Sequence, residues 1–155
     1  MFDPKVNPLW VQFRPAYFFF HQSVWSVKID CVNSKVILTK TSDENKTVSQ
    51  SVFSVSEKRM AELFSFLRID TIDAFEKIPE EEKERLELGY RDGWRLGYAI
   101  AFSQQPIKYG KLGLYIHEDP VEMAVDWLEK YFPKVRSGLY PLASSDYDEQ
   151  EREQN

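Results

Sequence analysis

Asp92-Gly-Trp-Arg-Leu-Gly-Tyr-Ala-Ile-Ala-Phe102 alternates large and small side chains along its length. Trp94, Leu96, Tyr98, Ile100 and Phe102 fall on one side, and Arg95, Gly97, Ala99 and Ala101 on the other. A period of two is that of a β-strand, whose successive side chains point to opposite faces. The large side can fill a core. The Gly and Ala side lets a second element, expected to be a helix, approach the backbone closely. A strand used on both sides belongs in the interior of a sheet.

Before this stretch, Pro4, Pro8 and Pro15 punctuate an extended segment, with Leu9 to Arg14 expected as an edge strand. Ala16 to Val32 reads as strand. From Trp25 the alternation is clean: Trp25, Val27, Ile29 and Cys31 point in, and Ser26, Lys28 and Asp30 point out. Asn33-Ser34 is expected as a two-residue turn into a partner strand over Lys35 to Thr41. Ser42 to Lys46 is a polar loop, and Thr47 to Phe53 completes a meander.

Ser54-Val-Ser-Glu57 then fits a capping box, with a hydroxyl at the cap and a carboxylate three residues on. Met60, Leu63, Phe64 and Leu67 follow as one apolar helical stripe. Asp70 to Lys77 has no clear period. Pro79 in a first turn, followed by Glu80-Glu-Glu-Lys-Glu-Arg-Leu86, predicts a short polar helix with its acids near the positive end of the dipole. Gly89 is expected to stop it.

After the alternating stretch, Gln104 to Pro106 turns the chain, and Leu112, Leu114 and Ile116 alternate in a return strand. Asp119-Pro-Val-Glu122 is the strongest local signal: Asp caps, Pro takes the first helical position and Glu closes the box. Val121, Val125, Leu128 and Phe132 supply a buried stripe with Ala124 beside it, and Pro133 ends the helix. The order is strands, helices, strands, helix. That segregation predicts an α+β fold: a mainly antiparallel sheet, a meander plus a later hairpin, with two amphipathic helices packed on one face. The small-residue face of 92–102 is the expected seat of those helices. Residues 1–136 form the expected single domain, and 137–155 a polar, acidic tail without an apolar pattern and without fixed structure.

The chain has 155 residues, a formal net charge of -5 and an aromatic content of 15%, which is heavy for one small core. An acidic balance argues against nucleic acid and against an anionic membrane surface, and for a basic partner. Cys31 is the single cysteine, so neither an internal disulfide nor a cysteine zinc cage can form, and a buried inert thiol in a cytoplasmic protein is the expectation. Tyr17 to Phe20, the greasiest run, is far short of a membrane span.

No stretch carries a catalytic, metal or cofactor pattern. The Gly-x-Ser-x-Gly string is absent, and Gly89, Gly93 and Gly97, though evenly spaced, form no phosphate loop. His117-Glu118-Asp119 lies where neighbouring side chains diverge, with Asp119 already used as a cap. His21 and His117 are the two histidines, and an acid–base pair made of them would support a small metal-independent hydrolase or nuclease. Structural or surface roles are the simpler reading of both. What is left is surface: Glu80, Glu81 and Glu82 in one acidic cluster, and Asp146, Tyr147, Asp148, Glu149 and Glu151 in another. Acid with an aromatic suits a binder of a basic protein surface, and these residues are the expected contacts.

In size, acidity and lack of catalytic residues the chain resembles the immunity proteins with which bacteria neutralise toxin domains, often basic nucleases. The resemblance is one of general type and covers no particular stretch. It implies a non-enzymatic domain, without cofactor or metal, that binds a cognate toxin. A structural or adaptor domain is the alternative without such a partner.

Overall fold

A computed structural model describes residues 1–15, 24–41, 46–90 and 96–135. The expectations for Ala16 to Ser23, for most of the Ser42 to Lys46 loop, for 91–95 and for the tail lie outside these residues. The fold is α+β. Strands β1 (Trp10–Pro15), β2 (Val24–Asp30), β3 (Lys35–Thr41) and β4 (Thr47–Ser54) form the meander. Helices α1 (Glu57–Phe66), α2 (Ile69–Glu76) and α3 (Glu80–Leu86) follow. The chain continues through β5 (Glu87–Tyr90), β6 (Leu96–Ala101), β7 (Lys108–Leu112) and β8 (Leu114–Ile116) to α4 (Pro120–Tyr131). The main sheet has six strands in the order β4-β3-β2-β1-β6-β7, and β5 pairs with β8 in a separate two-stranded sheet.

The alternating stretch is an interior strand, β6, lying antiparallel between β1 and β7. Leu9 to Arg14 does not make an edge: β1 sits between β2 and β6, joining the two ends of the fold. Pro15 is tolerated there because it is the strand's last residue. The expected two-residue turn is a four-residue one over 31–34, in which Asp30 accepts a hydrogen bond from the Asn33 N–H at 3.1 Å and Ser34 has φ 54°. The return strand is also two strands. The chain breaks at Gly113, and β7 and β8 enter different sheets.

The expectation for the two faces of β6 is reversed. Helices pack on the large side, where Val11, Phe13, Val27, Ile29, Leu96 and Ile100 are fully buried with Leu63, Leu67, Val125 and Leu128. Hydrophobic area drives helix-on-sheet packing, so the helices settle where side chains supply that area. Gly97 and Ala99, on the other face, stay half-exposed.

Each helix start has a local cause. The cap of α1 is Ser56, not Ser54: its hydroxyl accepts from the Arg59 N–H at 3.3 Å. The apolar stripe is as read, with Met60, Leu63, Phe64 and Leu67 buried. At α2, Thr71 accepts from the Arg68 N–H at 3.2 Å and donates to the Arg68 carbonyl at 2.9 Å, a local loop of bonds that no apolar period reveals. Asp119 caps α4, accepting from the Val121 N–H at 2.9 Å, with Pro120 opening the helix. Glu122, expected to close the capping box, is fully buried. Asn7 ties the N-terminal segment down: buried, it donates to the carbonyls of Phe64 and Leu67 at 3.3 and 3.2 Å, satisfying the end of α1.

Candidate functional site

The acidic helix α3 opens at Pro79, which offers no side-chain cap, and carries Glu80, Glu81 and Glu82 in its first turn. Acids at this end complement the helix dipole, which is reason enough for a helix to form here. They also stay in water: all three are exposed, with the Glu80 side chain 86% so. Lys83 turns the other way, its ammonium 5.1 Å from the centre of the Phe75 ring and 3.7 Å from Glu80. The three carboxylates therefore face solvent as a ledge.

At the end of α3 the chain does not stop at Gly89 but enters β5 directly. There Glu87 pairs with Ile116 and Gly89 with Tyr115, so Leu88 is the extra residue of a β-bulge. Gly89 has φ +138°, a conformation open to glycine and strained for other residues. The bulge leaves Leu88 69% exposed, two residues past the end of α3 opposite its acidic turn. Leu86, Leu88 and Tyr90 alternate, a period-two signal too short to stand out beside the proline and acids that predict a helix just before it.

Behind the ledge lies a cleft of about 320 Å³ that Phe75, Glu76, Lys83, Tyr98 and Asp119 help to line. Glu76, Lys83 and Asp119 among its charged groups are engaged. Lys108 bridges Asp73 and Glu76 at 3.1 and 3.2 Å. Burial pushes its ammonium down, but those hydrogen bonds outweigh burial and hold it above the usual lysine value. Burial raises the Asp119 carboxyl, against the pull of the N–H groups of Val121 and Glu122. Burial, then the charges of Asp119 and Glu76, raise the Tyr98 phenol. Perturbed groups in a cleft can mark chemistry, but here a helix cap and an ion-pair bridge account for them.

A second surface lies on the face of the sheet that no described helix covers, a groove of about 370 Å³ floored by Gly97 and Ala99. Trp10, Gln12 and Arg14 of β1 wall it on one side and Tyr109 and Lys111 of β7 on the other. Lys28 lies over the Trp10 ring at 5.2 Å. Among the described residues no carboxylate lines the groove, so the two surfaces differ in sign.

The remaining candidates fall as follows. His117 is exposed on the turn before α4; His21 lies outside the described residues, as do Asp146, Tyr147, Asp148, Glu149 and Glu151. Among the described residues, no group of three or more His, Cys, Asp or Glu side chains could hold a metal ion. No helix of the described residues is long and apolar enough to cross a membrane. Cys31 is buried, and burial followed by the charge of Asp30 pushes its thiol up to about 12. Comparison with protein-family models, with curated proteins and with solved structures finds no match.

Proposed function

We propose that this chain is a non-enzymatic protein-binding domain that receives a basic surface of another protein on the α3–β5 ledge. More finely, we infer an immunity-type inhibitor that neutralises a bacterial toxin domain by covering it. The observation that carries the reading is the exposed stretch Glu80–Leu88, in which Glu80, Glu81 and Glu82 open α3 and the β5 bulge holds Leu88 in water past its other end. An exposed apolar side chain and a run of like charges on one short helix–strand unit suit a protein contact: the leucine loses its water on binding, and the carboxylates choose the partner's sign. The acidic residues of the tail, Asp146, Asp148, Glu149 and Glu151, with Tyr147, would add to the same steering field.

The test is capture of a partner from the native host by the wild-type chain, by the Glu80→Gln/Glu81→Gln/Glu82→Gln variant and by Leu88→Ala. Steering is screened beyond a Debye length of about 8 Å at physiological salt. Association of the wild type should therefore slow as salt rises, the triple variant should lose that dependence, and Leu88→Ala should speed dissociation. Co-expression with the captured partner should relieve its toxicity. A partner held equally by all three proteins would sink the ledge, and one that is harmless to cells would sink the immunity reading alone.

A further inference from the structure

The two edges of the main sheet are built differently. β7 is short, carries Lys108 and Lys111, and has Gly110 at its middle. A Cβ at Gly110 would clash with the Tyr98 side chain, which crosses the strand there. Lysines on an outer strand discourage a further strand from pairing with it. β4, at the other edge, has eight residues, Thr-Val-Ser-Gln-Ser-Val-Phe-Ser, with neither a charge nor a proline among them. Among the described residues its one neighbour in the sheet is β3.

The hydrogen-bond phase of β4 follows from one contact. The Val55 N–H donates to the Ser34 carbonyl at 2.9 Å, which makes that pair hydrogen-bonded in the β3–β4 register. Antiparallel ladders alternate. Phe53 and Ser51 therefore turn their backbone groups toward β3, while Gln50, Val52 and Ser54 turn theirs outward. The side chains of these last three share the uncovered face: Val52 pairs with Ile37, and Gln50 donates to the Thr39 hydroxyl at 3.4 Å. Val52 is 52% exposed at the centre of the set.

We propose that β4 pairs with β4 of a second copy of this chain, antiparallel about a two-fold axis through Val52, so that the two main sheets join edge to edge. The strand is complementary to itself in this register. Val52 meets the partner copy's Val52, Gln50 meets Ser54 and Ser54 meets Gln50. All the outward N–H and C=O groups of the three residues find partners, and no charge faces its own copy. The exposed valine is covered by the same step. The bulge between Lys40 and Thr41 interrupts the ladder near the start of β4 and confines pairing to the regular part of the strand. An isologous contact of this kind closes on itself and stops at two copies.

Sedimentation velocity of the full chain from micromolar to millimolar concentration tests the proposal. The wild type should show a concentration-dependent monomer–dimer equilibrium. Val52→Lys sets two ammonium groups opposite each other and should weaken association about tenfold or more, and Val52→Glu should do the same. Mixing the two variants should restore a dimer, as complementary charges then face across the axis. Both substitutions are at an exposed position, and unchanged circular dichroism checks that they fold. Val52→Cys should cross-link to itself under mild oxidation, since Cα atoms across such a pair lie within disulfide reach and Cys31 is buried. A wild type that stays monomeric throughout, a Val52→Lys protein that dimerises as well as the wild type, or a mixture that fails to recover the dimer overturns it.

Discussion

The two faces of the six-stranded sheet are read from the same alternation and have opposite fates. On the helix side Val11, Phe13, Leu96 and Ile100 are sealed from water. One residue along in each case, Gln12, Arg14, Gly97 and Ala99 line an open groove beside Tyr109, which is 76% exposed. Alternation separates the faces but does not say which is covered. Small side chains allow close approach without supplying a reason for it; the apolar area that attracts a helix lay on the bulky side.

The sharpest way to break this comparison is to truncate one residue from each face. Phe13→Ala should cost about 3–5 kcal/mol, the usual loss for a buried ring that leaves a cavity. Gln12→Ala, next to it on the open face, should stay within about 0.5 kcal/mol. Urea midpoints of the two variants measure both, and equal losses would mean that something covers the groove in the folded protein.

Asn7 is the next largest. Its amide serves carbonyls at the end of α1, and its own carbonyl accepts from the Asp3 N–H at 3.0 Å. Asn7→Leu strands those groups away from water and should cost about 1–3 kcal/mol. Protection of the Asp3 amide against hydrogen exchange should fall with it. A neutral substitution would show that water replaces the amide at the helix end.

Ala99→Leu should be smaller still. With a helix over Ala99 it would overpack by about 1–3 kcal/mol, but in the open groove it should shift stability by no more than about 0.5 kcal/mol. Gly97→Ala belongs with it, as the nearest atom to an added Cβ is the Arg14 carbonyl oxygen at 3.7 Å, an ordinary contact. A thermal midpoint that drops sharply for either would return a packed element to this face.

How far the sequence carried depended on how local the signal was. The Asp119-Pro120 start of α4 and the Met60–Leu67 stripe are written in neighbouring residues, and both were legible. The polar helix at Glu80 was legible too, through proline and acid at its start. The β1–β6 pairing, which joins residues from Pro15↔Leu96 to Trp10↔Ala101 across most of the chain, leaves no local trace and turned an expected edge strand into an interior one. Leu112, Leu114 and Ile116 kept one alternation across Gly113 although the chain changes sheets there. Asn7 escaped because a polar residue in a short segment between two prolines reads as loop. The ledge was half legible: the carboxylates were, and the bulged Leu88 was not.

The smallest expected effect is a pH dependence from Asp119, and it sharpens the contrast between a helix side that hides charge and an open side that leaves it in water. A carboxylate capping a helix ordinarily ionises more easily than in water, since N–H groups and the dipole favour the anion. Here burial is the larger influence and raises the folded pKa above the ordinary 3.8, even with the N–H groups of Val121 and Glu122 pulling the other way. The sign follows from proton counting. At low pH both states hold the proton and Asp119 contributes its full stabilising share. As pH rises past 3.8 the unfolded chain ionises first, binds fewer protons than the folded one, and stability falls until the folded carboxyl has also titrated. Asp119→Asn keeps an oxygen for the Val121 N–H and cannot ionise, so it should lack that decline. Thermal midpoints of the two proteins, subtracted across the acid range, should give a curve that drops from 3.8 upward and then levels. A wild type that gains on Asp119→Asn as pH rises would mean that the helix end, not burial, governs this carboxyl, and that the cleft beneath α3 is wetter than its geometry implies.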